Sequence, residues 1–489
     1  MLHVLGMKKG DIIPLKIEKF ALGGQGLGFV ETEITGEHSL KRRVPIFIDD
    51  VCVGDEIEVR LAKKKSSFGE GKLTRIVKGS DERVAARCKH FEQCGGCSWQ
   101  FLAYEKQLQW KEQLVRETLL HIGGFSLEVL NEVFRDIVGC GDATNNEAPW
   151  YYRNKMEWSF SIDARGELSG GFHVKKMHYD TVNVQECFLQ SEKSVEIFKS
   201  MREFFVEMHA RGENVLYDMR KHRGLLRSVF VREGKRTGEY MVIIQSSDAK
   251  FDTEGLLSRL RKFPEIVSVV QIIVHDAKGS PTRLEERVLQ GRDYYREEMH
   301  ISDTRLQFHV KPLAFFQPNT LIAEKIYGEV AALLKGHFSE EMLSTMRAYD
   351  LYCGTGTIGI VLSRYLKSVV GIELNANAIA SAKENAELNH VQNITFHEGD
   401  VKKILDEMAG TMMDIMTIDP PRSGMEVKVL EQVVAIAPKA LIYVSCNPAT
   451  FARDAKILCG NGYRLTSVSP FDQFPQTAHI ETVALFVRA

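Results

Sequence analysis

Apolar and polar positions alternate over short stretches near the start of the chain: Ile12 to Ile17, Val44 to Ile48, Glu56 to Leu61 and Gly71 to Ile76. Strands this short at this spacing predict a small β-barrel. The segment Gly23-Gly-Gln-Gly-Leu-Gly28 lies between strand candidates with no helix after it, so it reads as a sharp bend rather than a phosphate loop. From about Tyr104 to Ile122 the period becomes helical, with Leu108, Val115 and Leu119 on one face, as core packing requires. Residues Trp150 to about His309 mix strands and helices, with Val229 to Val231 and Tyr240 to Gln245 as strand candidates. From Ala348 the pattern is strand, turn, helix. Strands are expected at Ser368 to Glu373, Ile394 to His397, Met413 to Ile418 and Ala440 to Ser445, with a helix from Ile379 to Leu388. That alternation predicts a doubly wound α/β sheet, closed by Thr466 to Pro470 and Glu481 to Arg488 as an antiparallel pair. The expected organisation is multidomain α/β: a barrel over residues 1–79, a central α+β domain over 80–309 and a Rossmann-like domain over 310–489.

With 489 residues and 44% hydrophobic content, the chain can build several cores. Its 63 basic and 65 acidic residues nearly cancel, so net charge does not argue for nucleic-acid binding and local patches must supply it. Two basic clusters, Lys41 to Arg43 and Lys63 to Lys65, are expected in loops of the barrel, where they would flank a nucleic-acid face. Nine cysteines, an odd number and few for the length, argue against a secreted disulfide framework and for a reducing cytoplasm. No signal-peptide pattern or apolar run of roughly 20 residues is present, so a soluble protein is expected.

Candidate chemistry concentrates late in the chain. Asp350-Leu-Tyr-Cys-Gly-Thr-Gly-Thr-Ile-Gly359 is a glycine turn after a strand, where backbone can approach a nucleotide-like ligand. Gly354, Gly356 and Gly359 also fit a dinucleotide fingerprint, and Glu373 ends the next strand where a carboxylate can grip a ribose diol. Both features suit NAD or S-adenosylmethionine. Asp419-Pro-Pro-Arg422 and Ser445-Cys446-Asn447-Pro448, at two further strand ends, have no role in hydride transfer and favour S-adenosylmethionine.

Cys88, Cys94 and Cys97 occur as C-x5-C-G-G-C, with Cys187 a plausible fourth thiolate from a distant loop. Glycines at 95 and 96 allow a tight turn that aims two sulfurs at one metal or cluster. An iron–sulfur cluster is favoured over zinc because the spacing departs from zinc ribbons. With four cysteine ligands no iron stays open to substrate, which points to a structural or RNA-docking role.

Methylating a pyrimidine carbon requires the ring to be made nucleophilic first. A cysteine thiolate attacking C6 of uracil does this at C5, and a base must then remove the C5 proton. Cys446 at a strand end suits the first task, and Glu481, in Gln476-Thr-Ala-His-Ile-Glu481, the second. An aromatic residue commonly follows Pro-Pro in enzymes that methylate exocyclic amines; Arg422 stands there instead.

On these residues the chain resembles the RNA uracil-C5 methyltransferases, which form 5-methyluridine, over nearly its whole length. The resemblance implies a TRAM domain, an OB-like RNA-binding module, at the N-terminus and a [4Fe–4S] cluster on Cys88, Cys94, Cys97 and Cys187. Tyr152-Arg-Asn-Lys155 and Gly171-Phe-His173 match family segments, and Phe315-Phe-Gln-Pro-Asn319 matches the segment whose glutamine, here Gln317, contacts S-adenosylmethionine. By the same matching Tyr352, Gly354 and Glu373 bind the cofactor, Asp419 serves cofactor and base, Cys446 is the nucleophile and Glu481 the base. Pro318 and Ile480 replace a frequent valine without removing a proposed catalytic group. Because tRNA-specific members typically lack both barrel and cluster, the resemblance implies action on structured large-subunit rRNA; a monomer is the family expectation. The alternatives are a tRNA uracil-C5 methyltransferase and a non-catalytic RNA-binding assembly factor. A radical enzyme is disfavoured by the C-x5-C-x2-C spacing, and a cytosine-C5 enzyme by Ser445 before Cys446.

Overall fold

The computed structural model describes residues 8–34, 40–141, 149–177, 179–276, 282–408, 410 and 413–489. The first sheet has six strands in the order Ile12–Lys16, Glu56–Lys64, Gly69–Lys78, Leu40–Ile48, Gly26–Ile34, Lys19–Phe20. Its two edge strands are separated in the chain by only Ile17 and Glu18, so the two edges come together there. Alternation puts Ile13, Leu15, Ile46, Ile48, Ile57, Val59 and Leu61 into one buried cluster. The glycine segment is only partly a bend: Gly23 and Gly24 turn with φ near +90°, while Gly26 and Gly28 lie in a strand. A Cβ at Gly26 would meet Val51 at 2.4 Å, and one at Gly28 would meet Leu15 at 2.4 Å, so the strand needs glycine where the interior is tightest. The basic clusters lie mostly in strands: Lys41 to Arg43 in Leu40–Ile48, Lys63 and Lys64 at the end of Glu56–Lys64, with Lys65 alone in the connection that follows. Arg43 forms a bidentate ion pair with Glu18, and Lys63 pairs across the sheet with Glu70 at 2.7 Å. Arg43 and Lys63 thus have acidic partners within the same sheet region.

The helix Tyr104–Thr118 continues as a wider π-turn, Leu119–Gly123, and stops at Gly124 with φ +73°. The central sheet has seven strands, ordered Arg283–Gly291, Ile266–His275, Tyr240–Ser246, Leu226–Glu233, Lys155–Ile162, Leu168–His173, Thr181–Asn183. A hairpin, Tyr295–Ile301 with Thr304–Val310, follows it.

The last sheet is ordered Ile394–Glu398, Ser368–Glu373, Arg347–Leu351, Ile415–Ile418, Ala440–Ser445, Glu481–Arg488, Tyr463–Phe471. Its first five strands run parallel, and Glu481–Arg488 runs antiparallel to both of its neighbours. Ile415, Ala440, Ile442 and Val444 face a core shared with the central sheet, whereas Met416, Ile418, Leu441 and Tyr443 face a second core with Trp99, Phe101 and Leu119. Burial on both faces explains why these strands read as continuous apolar runs. No described helix is long and apolar enough to cross a membrane.

Candidate active site

A cavity of about 880 Å³ opens beyond the carboxyl ends of the parallel strands, where open α/β sheets bind ligands. Gln317, Tyr352, Gly354, Glu373, Asp419, Cys446 and Glu481 all line it. Every residue assigned above to cofactor binding or catalysis therefore faces one space.

The strand Arg347–Leu351 ends in a turn that holds Tyr352 at φ +61° and Gly354 at +54°. At Gly356, φ is +78° and a Cβ would lie 2.9 Å from the Phe396 ring, so only glycine lets the next helix start there. Asp350 is fully buried below the turn. It accepts hydrogen bonds from Gly359 N–H at 2.9 Å and Thr417 Oγ1 at 2.6 Å, tying the helix start to the neighbouring strand. Burial raises its carboxyl to about 6 despite those donors. Glu373 bridges two loops: one oxygen accepts Gly354 N–H at 3.2 Å and the other Asn375 N–H at 2.8 Å.

Cys446 follows the strand Ala440–Ser445. Asn447 N–H donates to Ser445 Oγ at 3.2 Å, and the Asn447 side chain caps the next helix through Ala449 N–H and donates to Arg422 O at 2.9 Å. The Ser-Cys-Asn-Pro and Asp-Pro-Pro-Arg segments are thus joined. Glu481 begins the antiparallel neighbour of the Cys446 strand, with Ser445 opposite Thr482, so strand end and strand start share one edge.

Around Cys446 the electrostatics are set by burial and by neighbouring carboxylates. Burial raises the Cys446 thiol to about 11, with the Glu481 and Asp419 carboxylates adding to it and Arg422 opposing. Glu481, 5% exposed, is raised well above the usual carboxylate range by burial and by Asp419. Asp419 itself is raised to about 7, by burial and then Asp350. Each carboxylate makes the next proton harder to remove.

The cavity has a basic side that the sequence reading did not assign. Arg153, Lys155 and Arg232 line it with Phe315 and Phe474. Burial and the two arginines lower Lys155 to about 8. Arg153 and Lys155 lie in the matched Tyr-Arg-Asn-Lys segment, which was the available signal; Arg232 and Phe474 had none.

Cys88, Cys94, Cys97 and Cys187 line a separate pocket with His90, Gln100 and Glu186, and none is in a disulfide. Backbone N–H groups of Gly96, at 3.4 Å from Cys94 Sγ, and of Leu189 and Gln190 toward Cys187 are aimed at sulfur. The expected donor set therefore surrounds one space. Among the described residues, however, no group of three His, Cys, Asp or Glu side chains is arranged to hold a single metal ion. Tetrahedral zinc would need its thiolates only about 3.8 Å apart, from bonds of about 2.3 Å.

The family model for tRNA (uracil-5-)-methyltransferase matches residues 280–489. An uncharacterized RNA methyltransferase of Caldanaerobacter subterraneus is 34% identical over 99% of this chain and all of its own length. One from Clostridium tetani is 33% identical over 98% and 97%. The chain belongs to the RNA (uracil-5-)-methyltransferase family. Its cofactor is accordingly S-adenosylmethionine and its substrate RNA. Among solved structures it is similar to the Pyrococcus abyssi tRNA (uracil-54, C5)-methyltransferase bound to S-adenosyl-L-homocysteine: TM-score 0.70, 26% identity, covering 96% of this chain and 98% of that one. A tRNA enzyme thus spans essentially the whole of this architecture, and overall chain content does not separate tRNA from rRNA enzymes.

Proposed function

We propose that this cytoplasmic, monomeric enzyme methylates C5 of uracil in large-subunit rRNA through a covalent adduct on Cys446. The observation that carries the chemistry is the shared cavity. The glycine turn and Glu373 stand at one end of the parallel strands, and Cys446 and Glu481 lie on adjacent strands at the same edge.

S-adenosylmethionine, held by Gln317, Tyr352, Gly354, Glu373 and Asp419, supplies the methyl group, made electrophilic by its sulfonium, that C5 takes. Cys446 Sγ bonds to C6 and makes C5 nucleophilic. After transfer the Glu481 carboxylate takes the C5 proton; that electron pair re-forms C5=C6 as the C6–S bond breaks and the thiolate returns. Phe315, 62% exposed, and Phe474 line the cavity where a flipped uracil can stack.

The first sheet is read as a TRAM-type RNA-binding module over residues 1–79. The central domain, 80–309, would hold a [4Fe–4S] cluster on Cys88, Cys94, Cys97 and Cys187 in a structural role; four thiols around one pocket with N–H donors aimed at sulfur support that donor set. The methyltransferase domain occupies 310–489.

A tRNA substrate is the second reading, favoured by the likeness to the Pyrococcus abyssi enzyme. Nucleoside mass spectrometry on unmodified rRNA and tRNA, incubated with methyl-deuterated S-adenosylmethionine, separates them. Labelled 5-methyluridine in rRNA, lost with Cys446→Ala, is the expected result. Label only in tRNA overturns the substrate, and no label on either RNA favours the non-catalytic assembly factor.

A further inference from the structure

The loop between the last two strands, residues 472–480, carries Phe474 and leads into Glu481, yet much of what holds it comes from far away in the chain. Gln476 is at its centre, 3% exposed and in the left-handed region at φ +67°. Its carbonyl accepts the N–H groups of Ser98 at 2.9 Å and Trp99 at 3.0 Å, the residues directly after Cys97. Gln107 completes the clamp. Its Oε1 accepts Gln476 N–H at 2.9 Å, and its Nε2 donates to Gln476 Oε1 at 3.0 Å and to Trp99 O and Leu102 O.

One helical turn along, Lys111 is fully buried and donates to Asp472 Oδ1 at 2.5 Å and Phe474 O at 3.1 Å. Tyr152 Oη donates to Pro475 O at 3.1 Å, and Gln473 Nε2 to Gln317 Oε1 at 3.1 Å. The first sheet reaches the same loop. Trp99 Nε1 donates to Gly24 O, and a Cβ on Gly24 would come within 2.6 Å of Ala478 Cβ. A left-handed non-glycine residue persists only where its surroundings over-determine it, as they do here.

We infer that Gln107 and Lys111 are positioning residues for proton removal from C5, coupling the Cys97–Trp99 segment to the loop that aims Phe474 and Glu481. This inference rests on the covalent reading above. The loop bears on one step more than the others. Cys446 and the cofactor turn follow parallel strands that make no hydrogen bond to the loop among the described residues, whereas Glu481 is the first strand residue after it and pairs with Phe471 at the loop's other end; Gln317 meets the loop only through the Gln473 side chain. A base displaced by about 1 Å loses up to about a hundredfold in rate, and a nucleophile that has not moved loses none.

The test uses full-length protein and transcripts of large-subunit rRNA and tRNA carrying 5-tritiated uridine. Adduct formation is read as SDS-stable protein–RNA complex, and proton removal as tritium released to water. Gln107→Met removes the clamp at constant bulk, Gln107→Glu keeps only the acceptor toward Gln476 N–H, and Lys111→Met with Asp472→Leu removes the buried pair without stranding a charge. In Gln107→Met and in the double variant, tritium release should slow at least about tenfold while adduct formation changes by less than about threefold, so methylated adduct accumulates. Gln107→Glu should fall between these and wild type. Equal losses in adduct and release would mean a general structural role and overturn the inference, as would no change in either. If wild-type protein gives no adduct that depends on Cys446, the covalent reading fails and the inference with it.

Discussion

Asp419→Asn should make Cys446 more reactive while abolishing methylation. The thiol stands at about 11, against 9 for an ordinary cysteine, with burial the largest cause and the Glu481 and Asp419 carboxylates next. Near neutral pH that leaves on the order of a hundredfold less thiolate than an ordinary cysteine carries. Removing the Asp419 charge leaves burial in place, so the gain is confined to less than about tenfold. The assay is the alkylation rate of Cys446 by iodoacetamide, followed by peptide mass spectrometry. For wild type the rate should rise tenfold per pH unit from pH 7 to 9 without levelling off, because a raised thiol pKa leaves the thiolate fraction still growing there. Asp419→Asn should shift the curve to lower pH, and Arg422→Gln, which removes the opposing charge, to higher pH. A plateau below pH 8 in wild type would refute the reasoning, since burial and the two carboxylates would then not outweigh the cations lining the cavity.

Methylation itself should show the same sign, kcat/KM climbing through neutral pH, because Glu481 is also raised by burial and must lose its proton to act as a base. Lys111→Met alone leaves Asp472 charged and buried, which costs about 3–5 kcal/mol; the corresponding unfolding transition should fall by on the order of 10 °C. The double variant with Asp472→Leu should recover most of that, since it removes the buried carboxylate together with its partner. Glu373→Ala should weaken S-adenosylmethionine binding by about 10- to 100-fold in calorimetry, since it removes the carboxylate proposed to hold the ribose and its two bonds to the Gly354 and Asn375 N–H groups. Anaerobic iron and sulfide reconstitution should give about four of each per chain with a broad visible absorption, and Cys187→Ser should reduce both; zinc binding in their place would overturn the cluster assignment.

The parts of the site legible in the sequence are those in which a strand and the turn after it are contiguous. Asp350 to Gly359, Glu373, Asp419 and Cys446 each announce a strand end by a break in an apolar run, and the sheet gathers such ends on one edge. The helix Tyr104–Thr118 shows the opposite case. Its apolar stripe of Leu108, Val115 and Leu119 accounts for packing alone, while the polar residues that matter, Gln107 and Lys111, have partners 369 and 361 residues away. A local pattern carries no trace of such pairing. The basic clusters show a related effect: charges in strands look like loop charges until their acidic partners, Glu18 between two strands and Glu70 across the sheet, are known.

The position of Glu481 follows from strand direction. In a parallel sheet every strand begins at the amino edge, far from the ligand, so a residue that starts a strand cannot reach the cavity. Glu481 does so because its strand runs antiparallel to Ala440–Ser445. The polypeptide must therefore arrive at the carboxyl edge through a connection that belongs to no βα unit, and residues 472–480 are that connection. A segment with no sheet or helix to hold it needs external support when it delivers a base. Here the support comes from Ser98, Trp99, Gln107, Lys111 and Tyr152. The central part of the chain thus meets the cavity in two ways, directly through Arg153, Lys155 and Arg232 and, together with the N-terminal sheet, through the loop that leads into Glu481.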